Sequence, residues 1–129
     1  MIDDAARGMI SVWMGVTAQT REEFCDYTKD MEVLDSGCPI QRDFGCGFVD
    51  SDWFVGYITA GYQIVPIEEL CEEVDCTRET GVLIAARARA LGVVEGNALY
   101  YYVNCAFIEE TPGMLYNDLR FIGSFEDGE

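Results

Sequence analysis

Residues 98–108 read ALYYYVNCAFI and are the clearest predicted strand of the chain. Successive side chains of an extended strand point to opposite faces. One face would carry Leu99, Tyr101, Val103, Cys105 and Phe107, and the other Tyr100, Tyr102, Asn104 and Ala106. Apolar or aromatic groups on both faces indicate a central strand that is covered on either side.

Two further strands are predicted from the same alternation. In MISVWMGV (9–16), Ile10, Val12 and Met14 alternate with Ser11 and Trp13. LYNDLRFIGSF (115–125) follows a loop that contains a proline and a glycine. Because this segment is joined to strand 98–108 by a short loop, we expect the two to form an antiparallel hairpin.

Helix signals lie between these strands. Thr20 and Glu23 form a capping box, which predicts a helix of about three turns. Pro66 suits the first position of a short helix, PIEELCEEV (66–74). A longer helix is predicted for 77–91, ended by Gly92. Its small residues are expected to pack on a sheet, and they are Val82, Ala86 and Ala90.

The glycine-rich middle of the chain is harder to assign. We expect a short irregular or helical segment near QRDFG (41–45), followed by a strand within DWFVGYI (52–58). The resulting order of elements predicts one α+β domain over residues 1–129, with a mostly antiparallel sheet and helices packed on one side. Residues 1–8 are expected to form a loose N-terminal tail.

The charge of the chain restricts its partners. It carries 24 acidic and 8 basic residues, a net charge of -16. Nucleic acids and anionic membranes are bound through lysine and arginine, so neither is an expected partner. A basic protein would be attracted. The alternative interpretation is that the acidity serves solubility alone.

The first residues, MIDDAARG, have neither the basic start nor the apolar run of a signal peptide, and no apolar run is long enough to span a membrane. We therefore expect a cytoplasmic protein. Its six cysteines are then expected to be reduced, buried thiols. Zinc is not expected, because no pair has C-x₂-C spacing and the chain has no histidine.

Catalytic motifs are missing from the sequence. Without histidine the commonest general base and the usual nucleophile pairs are absent. No Gly-rich phosphate loop or nucleophile elbow is present either. We predict no catalytic residue, cofactor or metal site. Asp50 and Asp52 could still form a carboxylate pair for Mg²⁺, although a turn or a cap before Trp53 is the favoured explanation.

Two groups of residues are candidates for partner binding. Acidic side chains are concentrated in the predicted helix 66–74, where like charges four residues apart disfavour the helix. This cost points to a docking surface, while a solvated face is the alternative. The acidic and aromatic DSDWF (50–54) is the second group. The predicted contact residues are Asp50, Asp52, Trp53, Glu68, Glu69, Glu72 and Glu73.

Several segments resemble a known family in their order along the chain. They are VWMG (12–15) with the capped acidic helix after it, RDFG (42–45), DSDWF (50–54), NALYYYVNCAF (97–107) and LRFIGSF (119–125). Together they resemble the immunity protein 22 family, small bacterial proteins encoded beside polymorphic toxins, over roughly residues 9–126. The motifs are structural, so the resemblance transfers no catalytic residue.

The resemblance implies a non-enzymatic inhibitor that binds and neutralises a cognate bacterial toxin domain. Combined with the acidity of the chain, it favours a basic toxin such as a nuclease. The alternatives are an acidic adaptor or DNA-mimic protein, and a carboxylate-dependent metal enzyme. The oligomeric state is left open.

Overall fold

The computed structural model describes residues 1–3 and 5–127. The strands within these residues are β1 (Ile2–Asp3), β2 (Met9–Gly15), β3 (Phe54–Ile58), β4 (Val65–Pro66), β5 (Glu95–Gly96), β6 (Ala98–Val103), β7 (Ala106–Phe107), β8 (Leu115–Tyr116) and β9 (Leu119–Glu126). The α-helices are α1 (Arg21–Asp26), α2 (Pro39–Phe44), α3 (Ile67–Cys71) and α4 (Arg78–Ala90). None of the helices in the described part of the chain is long and apolar enough to cross a membrane.

The main sheet has five antiparallel strands in the order β3-β6-β2-β9-β8. The predicted α+β class with an antiparallel sheet is therefore confirmed. The predicted hairpin is wrong, because β2 lies between β6 and β9. Residues Ile10 to Gly15 are buried throughout, so their backbone N–H and C=O groups need hydrogen-bonding partners on both edges of the strand.

The segment 98–108 is a central strand as predicted, but it is interrupted at Asn104. This residue has a left-handed φ of 57°. The irregularity reverses the alternation, so Cys105 and Phe107 pack with Tyr100 and not with Leu99. Asparagine tolerates this conformation better than most residues, but the periodicity of the sequence does not reveal it.

The N-terminus also departs from expectation. Where the sequence predicts a loose tail, Ile2 and Asp3 pair with β7, and the terminal ammonium of Met1 donates to the carbonyl oxygen of Ile108 at 2.8 Å.

Each face of the main sheet carries its own hydrophobic cluster. One, which we call the aromatic face, packs against α1 and α2 and includes Trp13, Phe44 and Tyr100. The other packs against α3 and α4 and includes Val12 and Ile84. We call it the acidic face because of the carboxylates described below. The helices thus lie on both sides of the sheet, in contrast to the expected single side, since β2 and β6 have apolar side chains on both faces.

The helices follow their capping signals. The capping box of Thr20 and Glu23 is present, although α1 ends at Asp26 and is shorter than predicted. Helix α4 begins after Thr77, whose hydroxyl accepts from the Thr80 amide. The prediction that Val82, Ala86 and Ala90 pack on the sheet is wrong, because these residues are exposed. The buried side of α4 consists of Thr80, Ile84, Ala85 and Ala88.

Candidate functional site

Two adjoining grooves open on the acidic face. The first, which we call the helix groove, lies between α3 and α4, has a volume of 410 Å³ and is bordered by Glu68 and Glu72. The second, which we call the tryptophan groove, has a volume of 510 Å³ and includes Trp53. Cys76 and Thr77, in the connection between α3 and α4, line both grooves. The two predicted groups of contact residues therefore meet on one side of the molecule.

The sheet provides the apolar floor of the tryptophan groove. Val55 on the edge strand β3 is in register with Tyr101 on β6, and both line the groove. The amide of Val103 donates to the carbonyl oxygen of Trp53 at 2.9 Å, which holds the backbone at Trp53 against β6. The Trp53 side chain itself is 47% exposed. A large aromatic ring is thus held at the surface by an ordered backbone.

Three carboxylates surround this floor, and they come from separate parts of the chain. Asp52 precedes β3, Asp75 lies between α3 and α4, and Asp127 follows β9. Two hydrogen bonds position Asp127. Its side-chain Oδ1 accepts from the Thr77 amide at 3.0 Å, and its backbone amide donates to the Gly8 carbonyl oxygen at 2.8 Å. Among the residues that the structure describes, no arginine or lysine lines this groove.

The helix groove differs in its charge balance. Glu68 forms a two-pronged ion pair with Arg89 of α4, with Nη2 of Arg89 at 2.6 Å from Oε1 of Glu68. Hydrogen bonding from Arg89 lowers the pKa of Glu68 to about 2. Arg78 also lines this groove. Burial raises the pKa of the Cys71 thiol at its floor to about 12, so this thiol stays protonated and unreactive at neutral pH.

The family model described as Immunity protein 22 matches residues 10–126. The chain belongs to the Immunity protein 22 family. The resemblance inferred from the sequence motifs is therefore confirmed, and membership supports an immunity role, the neutralisation of a toxin. Comparisons with curated proteins and with solved structures gave no match.

The predicted contact residues of this immunity protein occupy three kinds of position: in the grooves, in the turn before Trp53, and beside the helix groove. Asp52 and Trp53 line the tryptophan groove, and Glu68 and Glu72 line the helix groove. Asp50 forms the turn before Trp53, since its Oδ1 accepts from the Asp52 amide at 2.9 Å. This is the turn interpretation that the sequence left open against a magnesium pair. In the described part of the chain no cluster of three or more carboxylates and thiols could hold a metal ion.

The remaining predicted residues, Glu69 and Glu73, are exposed beside the helix groove. Helix α3 ends at Cys71, earlier than predicted, and the chain continues through tighter turns. In these turns the amides of Glu72 and Glu73 donate to carbonyls three residues earlier. The like-charge pairs four residues apart are thus not held in regular helix.

Sequence reasoning missed most of the residues that line the tryptophan groove. Val55 could have been found, because it lies two residues after Trp53 and so shares its side of β3. Asp75 and Asp127 had no signal, since they reach the groove from the α3–α4 connection and from the end of β9. Asp127 also lies just beyond the stretch that matches the Immunity protein 22 model.

The aromatic face has a smaller opening, with a volume of 210 Å³, and Asp43 and Tyr116 are among its lining residues. The hydroxyl of Tyr27 donates to Asp43 at 2.7 Å, and the Asn117 amide donates to the hydroxyl of Tyr100 at 2.8 Å. Burial raises the pKa of Tyr27, Tyr100 and Tyr116 above the ordinary tyrosine value. These hydroxyls therefore remain protonated at neutral pH and act as structural hydrogen-bonding groups.

Proposed function

We propose that this chain is a cytoplasmic, non-enzymatic immunity protein that binds a basic bacterial toxin domain, such as a nuclease, and blocks its active site. Family membership supports the immunity role. The basic character of the toxin is inferred from the charge of this chain. Binding of nucleic acids or membranes is not part of the proposal, because their negative charge would be repelled.

The unneutralised acidity of the surface carries this proposal. The chain has 24 acidic residues and a net charge of -16. Within the described residues the ion pair of Glu68 with Arg89 is the single salt bridge. No arginine, lysine or terminal ammonium neutralises the other described carboxylates within ion-pair distance. Such a field speeds the encounter with a basic protein at low salt and orients it before contact.

The proposed contact surface is the acidic face. Asp52 and Trp53 would act from the tryptophan groove, and Glu68 and Glu72 from the helix groove. Asp50, Glu69 and Glu73 border these grooves and would contribute mainly to steering. Exposed charges at the margin of an interface change the association rate more than the final affinity, whereas a large central aromatic residue contributes to affinity.

Co-expression with the toxin domain encoded beside this chain tests the proposal. We expect the cells to survive and the two proteins to co-purify as a stable complex. A toxin domain from an unrelated system serves as the specificity control and should remain lethal. Lethality of the cognate pair without a complex, while this protein is produced and folded, would contradict the proposal. A pull-down for other basic proteins would then test the adaptor alternative.

A further inference from the structure

The tryptophan groove combines three properties that are not found together in the helix groove. It has an exposed aromatic ring, an apolar floor and three carboxylates without an opposing cation among the described lining residues. The helix groove contains Arg78, and its Glu68 is paired with Arg89. The tryptophan groove is therefore the place on the acidic face where a cation from outside the chain would be best accommodated.

We infer that the tryptophan groove receives an arginine side chain of the toxin, with its guanidinium on the ring of Trp53 and within reach of Asp52, Asp75 and Asp127. The inference rests on the proposed function and names the chemistry that the groove recognises. Arginine stacks on aromatic rings and pairs with carboxylates in a two-pronged geometry. Lysine lacks the planar group needed for both contacts.

The groove is already ordered before a partner arrives. Asp127 is fixed by the Thr77 amide and by the Gly8 carbonyl. The turn before β3 is closed by the bond from the Asp52 amide to Asp50 at 2.9 Å. A site whose groups are already positioned loses less conformational entropy on binding, so more of the contact energy is available as affinity.

A second copy of this chain is the less suitable occupant. Each copy carries a net charge of -16, so apposition of two acidic faces would bring like charges together. A basic toxin would instead neutralise the carboxylates and cover the apolar floor. Charge complementarity therefore selects a basic partner over self-association.

The test uses the complex purified from co-expression, followed by measurement of association rate and dissociation constant with the separated partners. Trp53→Leu should weaken binding by about 30-fold or more, as for a central anchoring residue, and Trp53→Phe should retain part of the affinity. Circular dichroism and thermal unfolding should show both variants folded. Equal affinity of the leucine and phenylalanine variants would overturn the inference, because a purely apolar contact would accept either.

The carboxylates are tested with two triple variants of equal charge change. Asp52→Asn, Asp75→Asn and Asp127→Asn are combined in the groove variant. Glu22→Gln, Asp26→Asn and Glu110→Gln, all exposed residues, form the control. The groove variant should increase the dissociation rate, and the control should change only the association rate. Equal losses would overturn the inference and leave the proposed function standing.

Three further outcomes distinguish the inference from the proposed function on which it rests. If the free protein forms a dimer that Trp53→Leu dissociates, a second copy occupies the groove and the inference is overturned. If the wild-type protein forms no complex with the toxin domain, the proposed function fails and the inference fails with it. If the toxin is bound and a single toxin Arg→Lys substitution weakens the wild-type complex but not the Trp53→Leu complex, the inference is supported.

Discussion

The two tryptophans of the chain lie on opposite faces of the same sheet and have opposite environments. Trp13 is completely buried on the aromatic face, with its ring stacked on Phe44 at a centroid distance of 4.7 Å. Trp53 is 47% exposed on the acidic face and lines a groove. The same residue type therefore supports the fold on one side and is available for recognition on the other.

The two faces also differ in the type of side chain that packs on the sheet. On the aromatic face, rings contact one another in a continuous network around Phe44 and Phe107. On the acidic face, aliphatic side chains of α3 and α4 pack on the sheet and leave two grooves at their connection. The aromatic face is thus dominated by ring packing, and the acidic face combines aliphatic packing with the two larger grooves.

The largest expected effect comes from replacing each tryptophan in turn. Trp13→Ala removes a fully buried ring and should reduce the free energy of unfolding by about 3–5 kcal/mol. Trp53→Ala should change it by less than about 0.5 kcal/mol, as is usual for surface positions. Urea denaturation of both variants provides the comparison. Equal destabilisation would show that the two rings do not have the separate roles assigned to them.

The second-largest effect is expected at alkaline pH, where ionisation of tyrosines should destabilise the aromatic face. The raised pKa values of Tyr27, Tyr100 and Tyr116 mean that the folded state favours the protonated hydroxyls. Their contribution is fully present below the unfolded pKa of about 10 and is lost as the pH rises above it. We expect cooperative unfolding coupled to tyrosinate absorbance. Ionisation of these tyrosines without loss of structure would show that their protonated hydroxyls do not stabilise the aromatic face.

Substitutions at two glycines test the backbone conformation within helix α4 and just after it. Gly81 lies inside the helix, and a Cβ there would be 3.9 Å from Sγ of Cys76, an ordinary contact. Gly81→Ala should therefore stabilise the protein by about 0.5–1 kcal/mol. Gly92, after the helix, has a φ of +87°, so Gly92→Ala should destabilise it by about 1 kcal/mol. Thermal unfolding of the two variants gives the sign of each change in stability. Stabilisation by both would contradict a left-handed backbone conformation at Gly92.

The smallest effect is expected at the ion pair of the helix groove. The lowered pKa of Glu68 means that the pair contributes above about pH 4.5 and loses its contribution as the pH falls towards 2. Because both side chains are exposed, Glu68→Gln should lower the melting temperature only slightly at pH 7 and not at all at pH 2. A large change that persists in high salt would show that α3 depends on this pair.

Local signals in the sequence predicted much of the fold. The alternation of 9–16 and of the first part of 98–108, the capping box of Thr20 and the helix predicted for 77–91 correspond to elements of the structure. The strand order was not predictable in this way, because β2 pairs with β6 and β9, which lie far from it in the sequence, and local alternation does not encode such pairing. The buried side of α4 was also missed, since exposed Val82 and Leu83 obscure its apolar period.

The candidate site was predictable only where its residues are neighbours in sequence. Asp52 and Trp53 could be selected from the acidic and aromatic DSDWF segment. Their proximity to Asp75 and Asp127 arises from the packing of α3 and α4 on the sheet and from the place where β9 ends, which are properties of the tertiary structure. The proposed class of partner follows from the charge composition, while the location of the groove required the fold.

Hydrogen–deuterium exchange of the chain, free and in complex with its toxin domain, tests most directly whether the acidic face is the binding surface. We expect the complex to slow exchange at residues 52–55 and 75–78, which border the tryptophan groove. Exchange in α1 and in residues 108–113 should be unchanged, because they lie away from this groove. Protection of α1 and 108–113 without protection around Trp53 would contradict the account and place the toxin on the aromatic face.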